Sequence, residues 1–170
     1  MNLKKGFPPK GRKDARVLIL GSMPGGKSLK KREYYANPRN LFWKIMGTLF
    51  GFNEGLNYKD RINILKENKI ALWDVIKSCE RRGSLDTGIL SKTIVENDFI
   101  SFYNMYPDIR YVFFNGAKAE KEYRKRVSPW LTGINYEIRY YRLPSTSPAM
   151  NLLSFDKKMM QWLKIRSIIY

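Results

Sequence analysis

Gly21-Ser-Met-Pro-Gly-Gly26-Lys27-Ser28 follows an apolar run and fits the phosphate-loop pattern G-x-x-x-x-G-K-[ST] letter for letter. In such a loop, backbone N–H groups at a helix start cradle phosphate and the lysine reaches the terminal phosphates. A carboxylate on a neighbouring strand, here Asp74 in LWD, would hold the metal. That chemistry is nucleotide hydrolysis or phosphoryl transfer. It demands a long helix after Ser28, packed on a sheet. The segment that follows, LKKREYYANP, has almost no apolar face and meets Asn37-Pro38 within about three turns. The nucleotide-enzyme reading therefore stands as an alternative to another chemistry.

Composition narrows the other choices. Histidine is absent and Cys79 is the one cysteine, so mechanisms that need histidine are excluded and a zinc site or iron–sulfur cluster has too few ligands. Lys+Arg number 32 and Asp+Glu 15, a net charge of +17 on 170 residues. A domain this basic attracts polyanions, nucleic acid before an anionic membrane surface. No apolar run approaches the roughly 20 residues that cross a bilayer, and the basic start MNLKKGFPPKGRKD has no apolar stretch of a secretory signal. Hydrophobic residues at 44% support a real core.

These residues must be positioned by a sheet and its helices. Residues 1–15 read as a flexible basic arm with Gly and Pro punctuation, and 16–170 as a single domain. Short β-rich runs at 16–20, 70–76, 110–115 and 136–143 read as strands. Helices are expected from an Asn37 cap with Pro38 at the first helical position through residue 50, and at 58–68, 91–106, 117–127 and 154–169, the last capped by Ser154. Strands alternating with helices make a parallel sheet covered on both faces, with ligands bound beyond the carboxyl ends of the strands. The loops that follow Gly21, Asp74, Asn115 and Leu143 are then the functional ones.

Those loops hold three further stretches: YYANPRNLFW (34–43), ALWDVIKSCERRGSLD (71–86) and LPSTSPAM (143–150). With GSMPGGKSL, and with FFNGAKAEKEY between them, they resemble the uracil-DNA glycosylase superfamily, and within it the hypoxanthine-DNA (deoxyinosine) glycosylase branch. The resemblance spans residues 16–150 and lies in four motifs in order. It implies a three-layer α/β/α sandwich on a four-stranded parallel sheet. It implies hydrolysis of the N-glycosidic bond of a nucleotide flipped out of double-stranded DNA, with no cofactor and no metal.

The same resemblance assigns roles. The superfamily often carries Asp or Asn near the proline of its first motif, where Met23 stands here. A thioether cannot orient water, so the branch's Asn in Y-Y-x-x-P-x-N-x-F-W, here Asn40, is the expected catalytic residue, placed in the first helical turn. Met23→Asn is then expected to broaden activity toward uracil. Gly21, Ser22, Pro24 and Gly25 form a tight turn that lets the backbone approach base and phosphate, with Ser22 a candidate bond to the flipped nucleotide. Tyr34, Tyr35, Phe42 and Trp43 supply aromatic surface, one of them to stack on the base; Phe42 and Trp43 suit a core better. Asp74 or Asp86 is expected to read the base, for instance by accepting the N1–H of hypoxanthine, with Asp86 alternatively orienting water. Lys27, Arg81 and Arg82 are expected against phosphate. Ser145, Thr146, Ser147, Pro148 and Ala149 match the motif that pinches the DNA backbone, and Met150 or Leu152 stands where a wedge would fill the vacated stack. Ser145 stands where uracil-specific members have histidine, which weakens a uracil-only reading. In the branch Asn follows S-T-S-P-A directly; here Met150 intervenes before Asn151.

The expected protein is a monomeric intracellular enzyme that excises hypoxanthine and leaves an abasic site. A uracil or mismatch-specific glycosylase, a phosphate-loop enzyme and a non-catalytic nucleic-acid-binding module remain the alternatives.

Overall fold

The computed structural model describes residues 2–133 and 137–170; Met1 of the expected arm and Tyr136 of the expected fourth strand lie outside them. In chain order the elements are β1 (Leu3–Lys5), β2 (Val17–Gly21), α1 (Gly26–Lys31), α2 (Phe42–Phe50), α3 (Tyr58–Glu67), β3 (Ile70–Asp74), β4 (Ile76–Glu80), β5 (Val95–Glu96), α4 (Phe99–Met105), β6 (Tyr111–Asn115), α5 (Ala117–Arg126), β7 (Arg139–Leu143) and α6 (Phe155–Ile169). The described helices include none long and apolar enough to cross a membrane.

The main sheet runs in the order β3-β2-β6-β7 with every neighbouring pair parallel. Successive side chains alternate between its faces. Val17 and Ile19 of β2 and Ile70 and Leu72 of β3 join α2, α3 and α6 through Phe42, Ile45, Leu65 and Trp162. Leu18, Leu20, Ala71 and Trp73 join α4 and α5 through Phe99, Phe102 and Tyr123 on the opposite face. This is the expected α/β/α sandwich. Register aligns Gly21 with Asp74 and Asn115 with Leu143, so the four carboxyl ends form one rim. The chain leaves β2 toward β3 on one side and returns to β6 on the other. The crevice where ligands bind in such sheets therefore opens between Gly21 and Asn115.

Four local expectations are corrected. The strand expected over 70–76 breaks at Val75: β4 turns away into a small antiparallel sheet, β1-β4-β5. The helix expected over 91–106 is a 3-10 turn at Ser91–Thr93, then β5, then α4, capped by Asp98, whose Oδ1 accepts from Ser101 N at 3.0 Å. Asn37-Pro38 starts no helix. The Asn37 side chain accepts from Arg39 N and its carbonyl from Asn40 N, closing a turn, so α2 begins only at Phe42.

The arm expected to be flexible is hydrogen-bonded along its length. β1 pairs with β4, Gly6 N donates to Lys77 O at 2.8 Å, and Lys10 exchanges backbone bonds with Leu72. The physical reason is the outer edge of β3, whose unpaired backbone groups need partners. Carbonyls of the arm also receive Trp73 Nε1 (Phe7 O, 3.0 Å) and the Tyr34 hydroxyl (Pro8 O, 3.1 Å).

Candidate active site

At the end of β2, Gly21 lies so close to its neighbours that a Cβ there would drive into Asp74 Oδ1 and stand 3.2 Å from the Tyr35 hydroxyl. Only glycine allows that approach. Tyr35 itself takes the left-handed backbone conformation (φ 55°), which turns its side chain away from that of Tyr34 and into the rim. Its ring stacks on Phe42 with centroids 3.9 Å apart. Tyr34 faces inward, buried, with its hydroxyl on the arm and its carbonyl accepting from Trp43 Nε1 at 2.9 Å.

Asp74 is buried, and its Oδ2 has no hydrogen-bond partner among the described residues; the Tyr35 hydroxyl has the Asn115 side chain beside it. Burial pushes the Asp74 carboxyl up to about 8; nearby Asp86 pushes the same way and Arg81 opposes. Burial and the charge of Asp74 push the Tyr35 phenol well above its ordinary value. Asp86 is raised by burial and held back by the Ser22 hydroxyl, Arg81 and Lys118. Ser22 Oγ lies 2.8 and 2.7 Å from the two Asp86 oxygens and donates to them. Ser22, one of the expected contacts to the nucleotide, is thus already engaged.

The opposite wall comes from β6 and β7. Asn115 Nδ2 donates to Thr146 Oγ1 and Thr146 N donates back to Asn115 Oδ1, both at 2.9 Å. Leu41 N donates to Thr146 O, which sets Asn40 beside the Ser145–Ser147 loop. Asn40 lies before α2, not in its first turn, and its Oδ1 accepts from Phe42 N at 3.0 Å. The remaining amide nitrogen, Nδ2, has no bond among the described residues. Ser145 Oγ accepts from Ser147 N and Ser147 Oγ accepts from Ala149 N, which curves the loop and leaves each hydroxyl its own proton to donate. Pro148 is half-buried, and Ala149 and Met150 are exposed beyond it.

Four expected contacts are corrected. Arg81 is buried (3% exposed) and donates to Pro24 O at 2.7 Å, so it braces the first loop and cannot reach phosphate. Met23 is packed with Ile76, Cys79, Ile89 and Ile94 beneath the small sheet, outside any base pocket. Phe42 is wholly buried behind Tyr35 and meets no base. Thr146 is wholly buried, its hydroxyl turned to Asn115. Lys27 and Arg82 are exposed, and Pro24 and Gly25 lie in the braced turn.

The phosphate-loop geometry does not form. α1 has six residues, Ser28 Oγ is buried and accepts from Ala36 N at 3.1 Å, and Ser84 Oγ sits 2.5 Å from where a Cβ on Gly26 would be. A segment of the chain covers the place where phosphate would lie.

Lys158 is the residue bracing the candidate site that sequence reasoning missed. Buried on α6, it donates to Ser145 O at 2.7 Å and Met150 O at 2.6 Å and so pins both ends of the serine-rich loop. Its signal was present: 158, 162, 165 and 169 form one helical stripe, and a lysine stands among its apolar residues.

The sequence model of the Uracil DNA glycosylase superfamily matches residues 8–165. A protein of Methanosarcina acetivorans named hypoxanthine DNA glycosylase is 40% identical over 157 residues, 92% of this chain and 94% of the relative. One of Methanosarcina barkeri with the same name is 41% identical over 137 residues, 80% and 82% of the two chains. A solution NMR structure from Methanosarcina acetivorans, described as a candidate uracil DNA glycosylase, superposes with a TM-score of 0.80 at 37% identity, covering 99% of each chain. With four motifs on one rim and a family match across nearly its whole length, the chain belongs to the uracil DNA glycosylase superfamily.

Proposed function

We propose that the protein is a monofunctional DNA glycosylase that hydrolyses the N-glycosidic bond of deoxyinosine, releasing hypoxanthine and leaving an abasic site. The observation that carries this reading is the convergence of Tyr35, Asp74 and Gly21 at the strand ends, in a chain about 40% identical to two proteins named for that activity. Tyr35, backed by Phe42, offers its free ring face to a flat purine. Asp74 meets the polar edge of the base. Asn40 holds the water that captures the sugar: its Oδ1 is tied to the backbone, which leaves Nδ2 for the water. An amide is no general base at neutral pH, so bond breaking runs ahead of water attack and an oxocarbenium-like sugar forms first. Ser145 and Ser147 grip the backbone phosphates with their hydroxyl protons. Leu152, 90% exposed, suits the vacated stack better than Met150 at 49%. The enzyme works inside the cell on double-stranded DNA as a monomer, without a cofactor, and its +17 charge draws it to its substrate.

The test uses an end-labelled duplex with one deoxyinosine and a matched one with uracil, incubated in EDTA without ATP and then cleaved with alkali at abasic sites. A cut at inosine supports the reading. A cut at uracil alone replaces it with uracil excision, the activity in the description of the matching solution structure.

A further inference from the structure

We infer that Asp74 is the general acid of the reaction, the group that gives the departing purine its proton. The inference rests on the glycosylase reading above and goes beyond it, since that reading asks of Asp74 only that it touch the base.

The first support is geometric. Buried polar atoms in folded proteins nearly always have partners. Asp74 Oδ2 does not, and with the Tyr35 hydroxyl, which has the Asn115 side chain beside it, the carboxyl crowds the space above the Gly21 Cα. An unpaired carboxyl oxygen at the rim of the sheet, on the β3 side of Gly21 and one strand from the crevice between β2 and β6, is placed to bond a ligand that reaches past Gly21.

The second support is the charge around the carboxyl. Arg81 and Asp86 face it from the loop after β4, Tyr34 and Tyr35 from the loop before α2, and Tyr58 from the start of α3. Arg81 is the one cation in this set, and its bond to Pro24 O turns one guanidinium nitrogen away. Burial and Asp86 outweigh it and lift the carboxyl to about 8, so Asp74 carries a proton at neutral pH. An acid matched to the working pH is the effective one.

Elimination gives the third. The chain has no histidine. Burial makes the Tyr35 phenol too weak an acid. Lys158 is committed to two carbonyls. Asp86 is held as an acceptor by the Ser22 hydroxyl, which leaves Asp74 as the proton donor at the strand ends.

The step balances simply. The C1′–N9 bond breaks and its electron pair goes to the purine. The Asp74 proton passes to N7, and hypoxanthine leaves neutral. Water held by Asn40 adds to C1′ and sheds a proton to solvent, and the Asp74 carboxylate takes one back from solvent.

The experiment is single-turnover release of hypoxanthine from a deoxyinosine duplex across about pH 5 to 10, bracketing the carboxyl, for wild type, Asp74→Asn and Asp86→Asn. Wild type should be flat at low pH and fall about tenfold per unit above a break near pH 8. Asp74→Asn should lose at least about 100-fold at neutral pH, show no break, and still bind the duplex. Asp86→Asn should move the break to lower pH, because the Asp86 charge helps keep the proton on Asp74. A wild-type rate that rises through the break would make Asp74 an accepting carboxylate and overturn the inference. So would an Asp74→Asn rate within about threefold of wild type, or a break that persists in that variant. If wild type releases no hypoxanthine at all, the glycosylase reading fails and this inference with it; each of the other adverse results overturns this inference alone.

Discussion

Lys158 donates from the first turn of α6 to the carbonyl of Ser145, 13 positions earlier in the chain, at 2.7 Å. With its second bond, to Met150 O, it closes the serine-rich loop into a ring with the ammonium at its centre. The loop's shape therefore depends on a buried charge. Lys158→Met should loosen the loop and lower DNA affinity about tenfold, with a stability loss of about 1–3 kcal/mol from the released carbonyls. The salt dependence of binding is the decisive readout. It should keep its slope, since no phosphate contact is removed; a slope smaller by about 0.9 would make Lys158 a phosphate ligand instead.

Asn40→Ala should retain DNA binding and lose at least about tenfold in single-turnover excision, equal to about 1.4 kcal/mol of barrier. Because Asn40 Oδ1 also accepts from Phe42 N at the start of α2, alanine should cost about 1 kcal/mol of stability as well. Asn40→Asp keeps that acceptor and removes only the amide N–H groups. It should restore the stability and leave the rate low. An unchanged rate in Asn40→Ala removes Asn40 from the reaction.

Met23→Asn, which motif comparison suggests as a way to gain uracil activity, should instead destabilise the protein by about 1–3 kcal/mol, because an amide replaces a thioether among Ile76, Cys79, Ile89 and Ile94. A urea midpoint below that of wild type, with no new cut in a uracil duplex, is the expected result. Activity on uracil with unchanged stability would return Met23 to the pocket.

Asp74 also ties stability to pH. Its carboxyl ionises near 3.9 in an unfolded chain and at about 8 in the fold. Between those values the folded protein binds more protons than the unfolded one, so this residue's contribution is full below about pH 4 and is lost as pH rises through about 8. Asp74→Asn stays neutral throughout. Urea titrations at about pH 5 and about pH 9 should show the variant gaining on wild type as pH rises. A constant difference would mean that Asp74 titrates normally.

The strands were legible because RVLIL, IALWD and YVFFN are short, β-rich and closed by rim residues, Gly21, Asp74 and Asn115, that the fold needs there. The site was legible where a residue type is rare in its context, as with Asp74 at the end of an apolar strand. Arg81 and Arg82 read as equivalent surface cations because nothing local separates them. Only the pairing of β4, which buries Ile76 and Cys79 and carries the chain on into Arg81, sends one inward and its neighbour out. The start of α2 was misplaced because an Asn side chain can close a turn as readily as it caps a helix, and the Thr146 carbonyl that holds Leu41 N lies a hundred residues away. The braced first loop was hidden for the same reason: Ser22–Asp86 and Arg81–Pro24 are long-range pairs.

The strand at Leu3–Lys5 has a further consequence, for how the chain is made. Its partner strand ends at Glu80, 77 positions from Leu3. During synthesis the segment emerges long before anything exists for it to pair with, and contacts so distant in sequence close late. Until they do, Trp73 Nε1, the Tyr34 hydroxyl and the edge of β3 at Leu72 have no protein partner. The nascent domain therefore passes through a stage with an open sheet edge, and docking of its earliest-made segment ends that exposure.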